Sequence, residues 1–260
     1  MKIALANFEI GTNIQKNIKT ILQLIRVAAS NKADMIIFPE DSITGLRNND
    51  DPEHDIKLAL TIRSTEILTV RELARELNII VVLGFLELYD GKIYDSCIVI
   101  HSKSITVDTY RRISRGWHGP AVSPNFYGHG TELKRIDTTI GTFTILLCGD
   151  LFDDDIVKQA RNTDADYLIY PMLRDSYPKF KAYWWEEEFE RYRERIQMIG
   201  KRTFMINGLD NSEGRKIFGG GWVLDELGIV EKHLYVFKPG IIYYNSDDVF
   251  NLEDSALDLF

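Results

Sequence analysis

The chain has 260 residues, long enough to bury a substantial core, and with 45% hydrophobic and 27% charged residues it has the composition of an ordinary globular protein. Thirty-one Lys and Arg against 39 Asp and Glu give a net charge of -8, which argues against a nucleic-acid backbone or an anionic membrane as main partner. The segment from Met1 to Glu9 puts an acid where a signal peptide would continue its apolar core, and no later run is long enough to span a bilayer, so a cytoplasmic protein is expected. Cys97 and Cys148 are the only cysteines, without the paired spacing of a zinc site or a disulfide framework, and both are expected as reduced thiols.

Lys2 to Phe8 reads as a first strand. Ile14, Ile18, Ile21, Leu22, Ile25 and Ala29 then recur at helical spacing, which predicts a helix with one buried face to about Asn31. Ala33 to Phe38 is a short apolar strand closed by Pro39, which has no N–H for a ladder and leaves Glu40 at the carboxyl end. Asp41 to Asp55, polar and carrying Gly45 and Pro52, reads as a loop, and a second helical region covers about Ile56 to Leu77, with Ser64 or Thr65 able to restart it. Ile79 to Leu86 is a buried strand. Asp90-Gly91 then turns the chain into the alternating run Ile93 to Ile100, and Ile105 to Arg111 adds another antiparallel strand; Cys97, inside this sheet, is expected to be a packing residue.

Ser114 to Gly130 carries glycines and prolines with little apolar periodicity, and so long an irregular segment inside a compact domain is more often functional than idle. Thr142 to Leu147 reads as a buried strand that stops at Cys148, Gly149 and Asp150. A helix is expected over Asp154 to Arg161. Ala165 to Met172 repeats the pattern of Ala33 to Glu40 residue type by residue type, except that Met172 stands where Glu40 does. A longer helix over Tyr183 to Lys201, a strand over Thr203 to Asn207 and a hairpin of Phe218 to Leu224 with Ile229 to His233 complete the second series. Each half thus reads strand, helix, strand, helix, strand, hairpin. The expected fold is α/β, a four-layer α-β-β-α sandwich with an internal pseudo-twofold repeat, in one domain over residues 1–260. The apolar and acidic tail 235–260 is expected to dock on its own body or on a second subunit.

Glu40, Arg112 and Cys148 stand at comparable strand ends. In open α/β sheets ligands bind at that edge, so from the residues alone Cys148 is either an inert core thiol or a nucleophile. A nucleophilic thiol needs a base and a nearby positive charge; Glu40 offers the first, Arg112 the second, and the Gly149 N–H a further donor for an oxyanion. With Phe38-Pro39-Glu40, Tyr110-Arg111-Arg112 and Cys148-Gly149-Asp150 in this order, the sequence resembles the nitrilase, or carbon-nitrogen hydrolase, superfamily over roughly Lys2 to Val236, with supporting likeness in Gly91 to Ser96, Asn207 and Gly219 to Gly228.

The resemblance implies catalytic roles for Glu40, Arg112 and Cys148; Gly149 and Asp150, beside the cysteine, and the loop aromatics Trp117 and Tyr127 are expected to bind the oxyanion or the substrate. It implies a cysteine-dependent hydrolase that cleaves a non-peptide C–N bond of a small amide or nitrile through a thioester. No cofactor and no metal are called for, and a homo-oligomer, commonly a dimer, is expected. Three departures stand out: Arg112 replaces the family's lysine, Ser114 to Gly130 lacks the second glutamate that many members carry, and Gly149 replaces a frequent aromatic. His118 and His129 are available for some of that acid-base work. The rival reading is a degenerate homologue that binds a small molecule or a protein partner without turnover. A Rossmann-type nucleotide enzyme is a poor fit because no glycine-rich turn follows the first strand.

Overall fold

Two apolar periodicities run through the described residues of this computed structural model, which are 1–45, 47–104, 106–175, 188–212 and 216–248. Strands with alternate faces buried and helices with one apolar stripe give two sheets, each with a helix pair against it. In the first half, β1 (Lys2–Asn7), α1 (Ile14–Ser30), β2 (Met35–Ile37), α2 (Pro52–Leu58), α3 (Thr65–Glu76), β3 (Ile80–Tyr89), β4 (Lys92–Ile100) and β5 (Val107–Arg111) follow one another. In the second come β6 (Ile136–Thr138), β7 (Gly141–Ile145), a 3-10 turn (Cys148–Phe152), α4 (Asp154–Asn162), β8 (Tyr167–Met172), α5 (Phe189–Ile199), β9 (Arg202–Asn207), β10 (Leu209–Asp210), β11 (Ile217–Leu224), β12 (Val230–Val236) and β13 (Gly240–Asn245).

The repeat read from the sequence is present in the topology. One sheet has the order β13-β1-β2-β3-β4-β5, and the other contains β6-β7-β8-β9-β11-β12 with β10 beside β11. Along both series the pairings are antiparallel, parallel, parallel, antiparallel and antiparallel. The parallel pairs need crossovers, and α1 and α3 serve the first sheet as α4 and α5 serve the second.

The buried side chains sort by strand face into layers. Ile3, Leu5, Met35, Ile37, Val82 and Val99 of one sheet meet Phe143, Ile145, Ile169, Phe204 and Val223 of the other. The alternate residues, Ala4, Ala6, Ile36, Val81 and Leu83, face Ile18, Ile21 and Ile25 of α1 and Ile67 and Val70 of α3. Leu168, Tyr170, Met205 and Trp222 face Ile156 and Val157 of α4 and Tyr192, Ile196 and Ile199 of α5. These three apolar seams make four layers, helices, sheet, sheet, helices, as expected for the α-β-β-α sandwich.

Some boundaries differ from expectation. Asp41 to Asp55 is not all loop: Pro52 occupies the first turn of α2, and the Asp51 carboxylate caps it by accepting from the Glu53 N–H. The helical region after it is broken, with α3 starting behind Ser64 as anticipated. The strand before Cys148 ends at Ile145 and gives way to the 3-10 turn. Residues 183–187 of the expected long helix, Ile105 and the end of the tail lie outside the described residues. The described part of the tail supplies β13, which pairs antiparallel with β1 from Lys2 opposite Asn245 to Asn7 opposite Gly240. Among the described residues, no helix is long and apolar enough to cross a membrane.

Candidate active site

Glu40 reaches the interior because the chain leaving β2 crosses the middle of β3 at Gly84. A Cβ on Gly84 would lie 2.5–2.7 Å from the Asp41 nitrogen, the Pro39 oxygen and the Glu40 Cα, so only glycine permits the crossing. Asp41 follows in the left-handed region at φ 48°, and the Thr44 hydroxyl donates to its carboxylate at 2.6 Å. Glu40 itself is fully buried. Burial pushes its carboxyl well above the usual carboxylate range; the negative charges of Cys148 and Asp95 push the same way, and Arg112 opposes them in part.

Arg112 lies one residue past the end of β5. Strand alternation sends Tyr110 and Arg112 toward the opposite sheet and Arg111 away from it. Arg111 instead forms a bidentate pair with Glu87, at 2.6 and 2.9 Å, and stacks over the Tyr89 ring. The Arg112 guanidinium is buried and divided among three partners: Nη1 donates to Glu40 Oε1 and to Asp95 Oδ2, both at 3.2 Å, and Nε to the Ser114 hydroxyl at 2.9 Å. Burial alone would lower its pKa; the surrounding negative groups, Cys148 foremost, more than offset this and hold it charged.

Cys148 begins the 3-10 turn with φ 43°, a left-handed conformation that non-glycine residues rarely adopt and that costs of order 1 kcal/mol or more. Tyr170 donates its hydroxyl to the Cys148 carbonyl at 2.7 Å. The Asp150 carboxylate locks the turn to the end of β5, accepting from the N–H groups of Leu147, Ile113 and Ser114 and from the Tyr110 hydroxyl at 2.6–3.2 Å. Cys148 is partly exposed, whereas Cys97 is sealed in the seam between the sheets, where burial raises its thiol pKa. Gly149, next to Cys148 in the same turn, lies against the Arg112 guanidinium that holds Glu40, which sets Cys148 beside that pair.

Three of the residues singled out from the sequence, Glu40, Arg112 and Cys148, are therefore brought together, and Gly149 lies against Arg112. The others occupy different places. Asp150 is fully buried and its oxygens are occupied by protein donors, which makes it a clamp and takes it out of reach of a substrate. Trp117 and Tyr127 pack with Ala59, Leu86 and Ile93 in a satellite cluster, where the Tyr127 hydroxyl donates to buried Asp55 at 2.7 Å. Tyr127, His118 and His129 border a separate cavity of about 600 Å3 formed by the Ser114 to Gly130 loop. The two imidazoles meet there through their Nε2 atoms at 3.2 Å, and burial lowers the pKa of His129. Asp95, Arg174 and Tyr192 escaped the sequence reading. The only signal for Asp95 is its place in Gly91 to Ser96; nothing local marks Arg174 or Tyr192.

The carbon-nitrogen hydrolase family model matches residues 2–244, and the chain belongs to that family. A glutamine-dependent NAD(+) synthetase of Thermotoga maritima is 23% identical over 95% of this chain, which spans 42% of that protein's length. Among solved structures, a CN-hydrolase superfamily protein from Xanthomonas campestris superposes with a TM-score of 0.77 at 15% identity, covering 98% of this chain and 92% of the other. An amidase from Nesterenkonia sp. gives 0.74 at 16% identity, covering 94% and 89%. At these identities the structural likeness speaks for the fold.

Proposed function

We propose that this chain is a cysteine-dependent amidase-type hydrolase whose nucleophile is Cys148, with Glu40 as the acid-base group and Arg112 as the fixed cation. The observation that carries the reading is the meeting of a buried carboxyl, a buried guanidinium and a partly exposed thiol at the strand ends. Glu40 takes the thiol proton as sulfur attacks the amide carbon. The carbonyl electron pair moves onto oxygen, where Arg112 and the Gly149 N–H stabilise it, each such donor being worth on the order of 3 kcal/mol. When the C–N bond breaks, Glu40 returns the proton to the leaving nitrogen, because an arginine does not give one up. Water, deprotonated by Glu40, then hydrolyses the thioester. These steps use only groups of this chain and water.

The names of the relatives point to both substrate classes, an amidase and a glutamine-dependent enzyme on one side and, on the other, a nitrilase of Meyerozyma guilliermondii 31% identical over 41% of this chain. A small primary carboxamide, glutamine included, is the substrate class to try first. A cytoplasmic location and a homo-oligomeric state belong to the same reading. The rival, a homologue that binds without turnover, draws support from Arg112, which is held by Glu40 and Asp95 together.

Purified protein incubated with a panel of amides and nitriles, followed by ammonia release and intact mass, separates the two. Turnover with a mass increment on Cys148, both lost in Cys148→Ala, is the expected result. Neither turnover nor adduct, with carboxamide binding retained by Cys148→Ala in calorimetry, would establish the binding reading instead.

A further inference from the structure

Asp95 lies on β4, two residues before Cys97 and on the same face, so it points into the seam between the sheets. Asp95 is 1% exposed, and its Oδ2 shares Arg112 Nη1 with Glu40 Oε1, each at 3.2 Å. The main chain fixes this arrangement, since the Arg112 N–H donates to the Asp95 carbonyl at 2.9 Å. Each carboxyl also keeps a second buried oxygen, Glu40 Oε2 and Asp95 Oδ1, for which no donor is found among the described residues. Two buried carboxylates against one guanidinium would leave a negative charge uncompensated and two acceptors unpaired. One proton held between them removes both costs.

We propose that Glu40 and Asp95 share a single proton across Arg112, with Asp95 as the positioning residue that sets when Glu40 is available as a base. The inference rests on the hydrolase reading for its role in turnover, and it supplies the second carboxyl that Ser114 to Gly130 lacks. The shared proton rests on Glu40, and its shift to Asp95 leaves Glu40 a carboxylate that accepts the Cys148 proton as the S–C bond forms. Glu40 gives that proton to nitrogen as the C–N bond breaks, and Asp95 holds the shared proton until the cycle closes and Glu40 takes it back. Burial raises both carboxyls; Cys148 and Asp95 raise Glu40 further, whereas Arg112 and the hydrogen bond with Glu40 lower Asp95, so the two titrate as a pair in which Glu40 holds the proton the more tightly. The titratable and charged groups facing them are Arg112 and Cys148, with Tyr170 and Tyr192 against Glu40 and Asp150, Tyr110 and Cys97 against Asp95.

The test reads proton transfer from Cys148 without needing an amide substrate. Alkylation of Cys148 by iodoacetamide is measured against pH, with the site confirmed by peptide mass, in the wild type, Asp95→Asn and Glu40→Gln. Removing the neighbouring carboxylate should move the Glu40-dependent limb down by about one pH unit or more in Asp95→Asn. Glu40→Gln should abolish the limb. Difference infrared spectra should show a carboxylic-acid C=O band at neutral pH that disappears in either variant, since the proton belongs to both residues. Should Asp95→Asn not fold, Asp95→Ser serves the same measurement.

A uniform loss of rate with the limb in place, or a band that survives in one variant, overturns the sharing. A shifted limb in a protein that hydrolyses none of the amides would uphold the sharing and sink the hydrolase reading. Turnover with an unmoved limb would do the reverse.

Discussion

The replacement of lysine by Arg112 and the glycine at position 149 are one fit. A Cβ on Gly149 would sit closer to Arg112 Nη2 than real Cβ atoms approach anything, and 3.1 Å from the Ser114 hydroxyl that also holds the guanidinium. Arginine branches at its end and needs that space, whereas a lysine ends in one nitrogen and leaves it empty. Gly149→Ala should therefore push the guanidinium off Glu40 and Asp95, lowering kcat/KM about 100-fold, the cost of a misplacement near 1 Å, with little change in melting temperature. In Gly149→Ala combined with Arg112→Lys, about tenfold of that loss should return, because the clash is gone. Steady-state kinetics on the same amide decides it: strictly additive effects would mean that the two positions are not coupled.

The residues legible in the sequence are those with a local signature. Pro39 stops a strand in front of Glu40, and Cys148-Gly149-Asp150 interrupts an apolar run. Asp95 has no such mark, because a polar residue in an alternating strand looks like any solvent-facing one. Its chemistry appears only with the register that pairs Ser96 with Arg111 and so sets Asp95 beside Arg112. The partners of Asp150 are hidden for the opposite reason: it stands beside Cys148 in the sequence, while Ile113, Ser114 and Tyr110, which its carboxylate accepts from, lie some forty residues back.

At the scale of elements, two contacts hold the reactive groups in register. The first is the crossing of the β2 exit over Gly84. In Gly84→Ala the new methyl meets backbone atoms that cannot rotate away, so a loss of about 1–3 kcal/mol in stability is expected from overpacking, and Glu40 should be displaced with it. Urea denaturation measures the first effect and the pH profile of Cys148 alkylation the second. The other contact is the Asp150 clamp between the 3-10 turn and β5. Asp150→Asn keeps the shape but turns an amide N–H toward one set of donors, which should cost about 1–3 kcal/mol and release the strained φ of Cys148. A melting temperature unchanged in Asp150→Asn would remove the clamp from the account. The parallel strands and their crossover helices were readable because each carries a strong period. The second-sheet edge strand β6, the two-residue β10 and the tail strand β13 were not, because such short or partly exposed segments take their shape from the strand they add to.

For the whole molecule, the site is a standing burden on stability, and its sign follows from Glu40. The folded protein raises this carboxyl above its ordinary value of 4.5, chiefly by burying it. Between that value and the raised one the folded state binds more protons than the unfolded, so stability falls as pH rises through the window and the full penalty is present above it. Glu40→Gln keeps the volume and removes the charge. Its melting temperature should match the wild type near pH 4 and exceed it increasingly toward pH 8, by about 3 °C or more, as each kcal/mol is worth roughly 2–4 °C in a domain of this size. Asp95 sharpens the expectation: once Glu40 no longer competes for Arg112, the remaining pair is one carboxylate on one guanidinium, which is neutral overall and stable over the same range. Thermal melts of the two proteins across pH settle the point. A constant offset would attribute the difference to packing, whereas a gap that opens with pH ties it to the Glu40 ionisation that the proposed catalysis requires. Stability and turnover would then be set against each other by the same buried proton.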